Sequence, residues 1–347
     1  MATPHILIIY TGGTIGMMKN METGALEAFD FSQIKQHIPE LRQFDFVIDS
    51  YQFTPPIDSS DMTPELWVKL VDIIKENYDR FDGFVILHGT DTMAFTASAL
   101  SFMLEGLSKP VILTGSQLPI GVMRTDGREN LITAIEIAAA RNSEGQARVP
   151  EVCIYFASRL YRGNRTTKIN AEKLDAFTSH NYPSLARAGI SITYQDSLIL
   201  HPKQPEQQLH IHRELDSNVL ALTLFPGIKP DLIEKVFSMD DIKGIVLRTF
   251  GSGNAPSKPW FVNALRRASE AGKVIVNITQ CQSGSVKMGL YKTGLQLQQA
   301  GVVSGHDMTV ESAVTKLMVL FGKGLTTEEI RKQMEEPFAG EMTTSET

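Results

Sequence analysis

Short runs of β-branched and aliphatic residues alternate along the chain with longer segments of helical periodicity, and several junctions between them carry Gly, Ser, Thr or Asp. That alternation restricts the chain to an α/β fold with a largely parallel sheet. Strands are predicted near 5–10, 44–53, 83–89, 110–115 and 151–158, with helices near 63–77, 92–106 and 128–141. Thr63 followed by Pro64 is the boundary signal of the first helix, whose Leu66, Leu70, Ile73 and Ile74 fall on one side and should cover the sheet.

A second series starts at Val219-Leu220-Ala221-Leu222 and continues through Ile245-Val246-Leu247 and Val274-Ile275-Val276, with helices near 230–238, 259–271, 309–321 and 326–336. Between the series, residues 192–216 lose periodicity and hold Pro202, Pro205, four glutamines and three histidines, which suits a connection better than a helix. The expected organisation is therefore a larger N-terminal domain, 1–191, with a mostly parallel, flavodoxin-like sheet, a linker over 192–216, and a smaller C-terminal α/β domain, 217–347.

Composition narrows the function. With 39 acidic against 33 basic residues in 347, the formal charge of −6 does not steer the chain toward nucleic acid or an anionic membrane. Apolar residues come in short runs, far below the roughly 20 that a spanning helix needs, so a soluble protein without membrane partners is expected. The start, Met1-Ala2-Thr3-Pro4-His5, has none of the features of a secretory signal. Cys153 and Cys281 lie far apart without a CxxC pairing, which fits a reducing cytoplasm.

In an open parallel sheet ligands bind outside the carboxyl ends of the strands. There the sequence places Thr11-Gly12-Gly13-Thr14, Asp58-Ser59-Ser60-Asp61, Thr90-Asp91-Thr92 and Ser116-Gln117, so hydroxyls, carboxylates and glycines converge on one edge. Gly12-Gly13 reads in two ways: a glycine turn capped by Thr, or a turn that presents the Thr14 hydroxyl as a nucleophile beside N–H groups of an oxyanion hole. A Thr hydroxyl needs a base or a polarising charge. Thr90-Asp91 and Lys168, in Thr166-Thr167-Lys168, offer a relay of hydroxyl, carboxylate and amine, with a helix cap and a solvated loop charge as the plainer readings. His210, His212 and Glu214 have the look of a metal set but sit in a polar stretch read as solvated, and no metal is expected. Neither GxxxxGK[ST], GxGxxG nor GxSxG is present, and Cys153, mid-strand, reads as core, as do Phe102, Met103 and Leu104.

Tyr10-Thr11-Gly12-Gly13-Thr14-Ile15-Gly16 and Val85-Ile86-Leu87-His88-Gly89-Thr90-Asp91-Thr92-Met93 resemble the two signatures of bacterial-type L-asparaginases, in the cytoplasmic type I branch. Supporting stretches are Asp58-Ser59-Ser60-Asp61-Met62-Thr63-Pro64, Leu113-Thr114-Gly115-Ser116-Gln117, Leu160 through Lys168, and Asn277-Ile278-Thr279-Gln280-Cys281, so the likeness spans nearly the whole chain. The resemblance implies hydrolysis of L-asparagine to L-aspartate and ammonia without a cofactor, through a β-aspartyl ester on Thr14. It implies that Thr90, Asp91 and Lys168 form the second catalytic group and that Asp91 also grips the substrate ammonium. Asp58, Ser59 and Ser60 would hold the charged ends of the amino acid, which separates an amino-acid amidase from a generic one.

The family usually carries a Tyr in the loop after the first signature, where this chain reads Glu22-Thr23-Gly24-Ala25-Leu26, and Tyr291 is the candidate to polarise Thr14 instead. Type I relatives also imply an allosteric asparagine site, matched by Thr167, Arg248, Asn254, Thr279, Gln280 and Cys281, and a homo-oligomer, either a dimer or a dimer of dimers. Two other readings are the amidase subunit of a tRNA-dependent amidotransferase, which would need a further N-terminal domain, and a non-catalytic amino-acid-binding module.

Overall fold

A computed structural model describes residues 3–19, 26–28, 38–202, 208–289 and 292–344. The chain falls into two compact units, residues 1–211 and 212–347.

Among the described residues, the main sheet of the first unit has eight strands: β1 (His5–Tyr10), β2 (Val47–Gln52), β3 (Gly83–Leu87), β4 (Val111–Thr114), β5 (Val152–Phe156), β6 (Arg159–Arg162), β7 (Ala186–Ala188) and β8 (Ile192–Tyr194). They lie in the order β8-β7-β6-β5-β4-β3-β1-β2. β1 to β5 pair in parallel, and from β5 to β8 the pairing is antiparallel. Ile6, Ile8 and Tyr10 join one core cluster while Leu7 and Ile9 are buried on the other face, which is why β1 reads as a continuous apolar run rather than an alternating one.

Three helices cover this sheet: α1 (Pro64–Asn77), α2 (Met93–Met103) and α3 (Gly127–Ala139). α3 packs on β1, β3, β4 and β5, and α2 packs on β4, β5 and α1. Thr63 occupies the N-cap of α1 and Pro64 opens it, yet the Thr63 hydroxyl bonds no helix N–H. The buried face of α1 is Trp67, Leu70, Val71, Ile73 and Ile74, with Leu66 only half-buried.

Two expectations need correction. Residues 151–158 are not one strand, because Ala157 (φ 47) and Ser158 (φ 67) form a two-residue turn that folds β5 back onto β6. Such turns normally announce themselves by Asn or Gly. The expected linker also contributes to this unit: residues 192–194 are the edge strand β8, Ile199 is buried, and His210–Ile211 pairs with Leu104–Glu105. These strands are too short to show periodicity, and their apolar residues find partners only in the tertiary fold.

Among its described residues the second unit has four parallel strands in sequential order, β9 (Val219–Thr223), β10 (Gly244–Thr249), β11 (Val274–Thr279) and β12 (Val302–Ser304). Its helices are α4 (Pro230–Phe237), α5 (Pro259–Glu270), α6 (Lys292–Gln299), α7 (Val310–Gly322) and α8 (Thr327–Glu335). Ile245, Leu247 and Ile275 enter one core cluster, and Val246, Val274, Val276 and Ile278 the other, so this sheet too is covered on both faces. An ion pair lies inside it. Lys316 of α7 meets Glu341 at 2.6 Å with both side chains 0% exposed, and Lys316 Nζ also donates to the Glu336 carbonyl at 2.8 Å. Two α/β units, the first larger and mostly parallel, are the fold class that the sequence pattern predicts.

Candidate active site

The strand order β2-β1-β3-β4-β5 reverses direction at β1, and the turns that follow β1 and β3 lie at the carboxyl edge of that switch point, where open parallel sheets bind ligands. The first turn is anchored by Thr11, whose N–H and Oγ1 both donate to the Leu87 carbonyl at 3.0 Å and whose own carbonyl accepts from Ile57 N at 2.8 Å. Gly12 (φ 145) and Gly13 (φ 87) then take backbone conformations that side chains resist. Space forbids a side chain as well: a Cβ on Gly12 would lie 2.0 Å from Ile57 O, and one on Gly13 2.6 Å from Gly89 Cα. Thr14 follows, half-buried at the start of a short 3-10 turn. Its hydroxyl has no hydrogen-bond partner among the described residues. Tyr10 donates to the Gly13 carbonyl at 3.3 Å, and burial pushes its phenol up to about 12, so it remains a proton-bearing donor.

The contact between Gly13 and Gly89 brings the turn after β3 beside Thr14. There Lys168 Nζ donates to Thr90 Oγ1 at 2.8 Å and to Asp91 Oδ1 at 2.7 Å. The Lys168 side chain is only 18% exposed whereas that of Asp91 is 66% exposed, so the amine is withdrawn and the carboxylate faces open space. Lys168 is held from behind: the segment before it, Gly163–Arg165, is buried, next to an Arg162–Glu151 pair at 2.6 Å that is nearly closed to solvent.

After β2 comes a second 3-10 turn, Ser59–Asp61. Asp58 caps it, accepting from Ser60 N at 2.9 Å and Ser60 Oγ at 2.8 Å, and those two bonds, the backbone one first, hold its carboxyl below the usual range. Ser59 is buried, with its Oγ 2.5 Å from where a Gly89 Cβ would stand. The structure thus gathers the Thr14 turn, Ser59, Thr90, Asp91 and Lys168 around Gly89, and sets Asp58 and Ser60 at the exposed rim.

Two further residues, quoted from the sequence without a role, also contribute. Thr90 Oγ1 donates to Gln117 Oε1 at 3.4 Å, and Gln117 is fastened through its amide to the Ala171 and Lys173 carbonyls and through its N–H to Asp126. His88, within the second signature, is buried and bonded to the Gly89 carbonyl. A polar residue at the end of a buried strand was the available signal for each.

The other expected residues fall elsewhere or outside the described residues. Thr167 pairs with Thr178 in the first unit. In the second unit Gln280 Nε2 donates to the Leu224 and Arg248 carbonyls, Thr279 Oγ1 donates to Gly251 O at 2.6 Å and accepts from Cys281 N, and Asn254 accepts from Thr293. Arg248 reaches Thr223 at 3.4 Å and leaves its buried Nε without a partner. Tyr291 and residues 22–25 lie outside the described residues. Among the described residues no His, Cys, Asp and Glu group is arranged to hold a metal, and no helix is long and apolar enough to cross a membrane.

A hydroxyl on a glycine turn next to a turn that carries a lysine-bonded hydroxyl and carboxylate, at the switch point of a parallel sheet, is an arrangement suited to a hydrolase that acts through a side-chain nucleophile. Residues 5–200 match the family model "Asparaginase, N-terminal", and residues 218–334 match "Glutaminase/Asparaginase C-terminal domain". The chain belongs to the asparaginase family. L-asparaginase 1 of Escherichia coli (strain K12) is 46% identical over 350 residues, covering 99% of each chain. The 60 kDa lysophospholipase of Mus musculus is 40% identical over 98% of this chain and 62% of its own length. The crystal structure of L-asparaginase I from Vibrio cholerae superposes with a TM-score of 0.89 at 42% identity, over 99% of this chain and all of that one.

Proposed function

We propose that this chain hydrolyses L-asparagine to L-aspartate and ammonia, with Thr14 as the nucleophile. The observation that carries the reading is the close approach of Gly13 to Gly89, which supports bringing the turn that bears Thr14 to the turn that bears Thr90 and Asp91, both bonded to Lys168. In the first half-reaction Thr14 Oγ bonds to the side-chain carbonyl carbon, the C–N bond breaks, and the leaving ammonia takes the hydroxyl proton. In the second, water attacks the aspartyl ester, its proton is relayed by the Lys168–Thr90–Asp91 group to the leaving Thr14 Oγ, and the C–Oγ bond breaks to restore the hydroxyl and release aspartate. Preorganised donors stabilise the oxyanion in both halves. The Thr90 N–H is suited to this, since the trans Gly89–Thr90 peptide points it opposite to a carbonyl bound inside the core.

Asp58, with one oxygen bonded to Ser60, and Asp91, with one bonded to Lys168, hold the substrate ammonium through their remaining oxygens. Ser59 and Ser60 hold its carboxylate, so the amide is fixed against Thr14. An amidotransferase subunit or a non-catalytic binding module is less supported, since the full-length likeness at 46% identity is to an L-asparaginase. The chain acts as a homo-oligomer in the cytoplasm; fully exposed Met123 and Ile190 suit the first part, and the free thiols of Cys153 and Cys281 the second. Arg248, with its orphaned Nε, anchors the carboxylate of a second, regulatory asparagine together with Asn254, Thr279, Gln280 and Cys281 of the same unit. Ammonia release from L-asparagine, L-glutamine and D-asparagine over a concentration series, with Thr14→Ala beside the parent, tests the reading. Turnover by folded Thr14→Ala at the parent rate would refute it.

A further inference from the structure

His88, Thr96 and Trp67 form a buried chain that ends on the Gly89 carbonyl and take no part in the proposed bond-making steps. All three are buried, His88 at 1%, Thr96 at 0% and Trp67 at 5% exposure. Trp67 Nε1 on α1 donates to Thr96 Oγ1 on α2 at 3.0 Å; Thr96 Oγ1 lies 2.9 Å from His88 Nε2; His88 Nδ1 lies 2.7 Å from the Gly89 carbonyl. The donor inventory leaves one arrangement. An indole N–H can only donate, so the Thr96 oxygen accepts there and its proton is free for Nε2. A carbonyl can only accept, so Nδ1 carries the imidazole proton. Burial pushes the imidazole down to about 4, so near neutral pH it is uncharged and does not carry protons for the reaction.

We infer that the Trp67–Thr96–His88 chain is a tautomer lock that aims the Gly89–Thr90 peptide, making His88 and Thr96 positioning residues for the oxyanion donor. In a trans peptide the N–H points away from the C=O. Tying the Gly89 carbonyl to His88 on the core side therefore turns the Thr90 N–H out toward the face where Gly89 meets Gly13. That N–H has no backbone partner among the described residues. Gly89 is the residue most able to rotate its peptide, so something must hold it. Were Nδ1 to lose its proton to Nε2, a lone pair would face the Gly89 carbonyl and the peptide would turn away.

The inference rests on the proposed attack by Thr14, and the test separates the two. Thr96→Val keeps the shape and deletes the donor to Nε2, whereas Thr96→Ser keeps the donor. With L-asparagine, Thr96→Val and His88→Leu should lower kcat roughly tenfold with KM within about twofold, less than the ~10²–10³ lost on deleting an oxyanion donor outright. Thr96→Ser and His88→Asn, which can still donate in the right directions, should recover most of that loss. Nitrogen-15 spectra of the parent should show His88 protonated on Nδ1, and those of Thr96→Val a mixture of tautomers. The lock is refuted if folded Thr96→Val retains the parent kcat while Thr14→Ala is inactive, if activity falls only in proportion to folded protein, or if the parent imidazole is protonated on Nε2. An active Thr14→Ala would instead overturn the reading beneath it.

Discussion

Glu341→Gln is the substitution whose cost the second unit defines most sharply. In the parent, Lys316 and Glu341 are wholly enclosed and 2.6 Å apart, and Glu341 also accepts from the Ala339 N–H at 2.9 Å. Removing one partner of a buried pair costs about 3–5 kcal/mol, since the other charge is left without a counterion. Lys316 retains the Glu336 carbonyl at 2.8 Å, so the lower end, about 3 kcal/mol, is expected. Burial holds the Lys316 amine below the usual lysine range, with the Glu341 charge only partly opposing it. Desolvation thus outweighs the pairing, and replacing both residues should cost little: Lys316→Met with Glu341→Leu should return to within about 1 kcal/mol of the parent. Urea unfolding followed by circular dichroism gives the stabilities, and hydrogen exchange at the Phe338, Ala339 and Thr343 amides reports whether the segment is released locally. A Glu341→Gln protein that lost under about 1 kcal/mol, or a double variant as unstable as the sum of its singles, would refute the reasoning.

Three further outcomes are expected. Gly13→Ala should destabilise the first unit by about 2 kcal/mol or more and abolish ammonia release, because its Cβ would meet Gly89 backbone at 2.6 Å from a positive φ; an active, stable variant would contradict the contact. The His88 imidazole, folded at about 4 against an ordinary 6.5, leaves the unfolded chain holding more protons between those values, so stability is full above about 6.5 and falls toward pH 4 by up to about 3 kcal/mol. His88→Asn should flatten that slope in urea melts taken across this range. The rate should be sigmoidal in L-asparagine for the parent and hyperbolic for Arg248→Ala, and a hyperbolic parent curve would refute the second asparagine site.

The parts legible in the sequence were those in which a local pattern and the tertiary fold agree. β1 to β4 and the helices over 64–77 and 127–139 combine long apolar runs or periodicity with cap and glycine signals, and the α/β rule directs attention to the polar residues at the strand ends, whose roles only the family resemblance suggests. What escaped depended on distant partners. β7, β8 and β12 are three residues each, the Ala157-Ser158 turn lacks the usual turn residues, and α6 is a short polar helix interrupted by Gly294. Within the site, the bonds of Gln117 to Ala171 and Lys173, and of His88 to Thr96, join residues whose adjacency no spacing reveals.

Because Gly13 rests on Gly89 without room for a methyl group, catalytic competence is tied to strand registration. β1 and β3 align Tyr10 with Leu87; a slip of one residue would set His88 or Thr90, each bearing a side chain, where only bare backbone fits. A mispaired sheet would thus be silent rather than sluggish, and turnover itself becomes a gauge of whether the central ladder has zipped correctly.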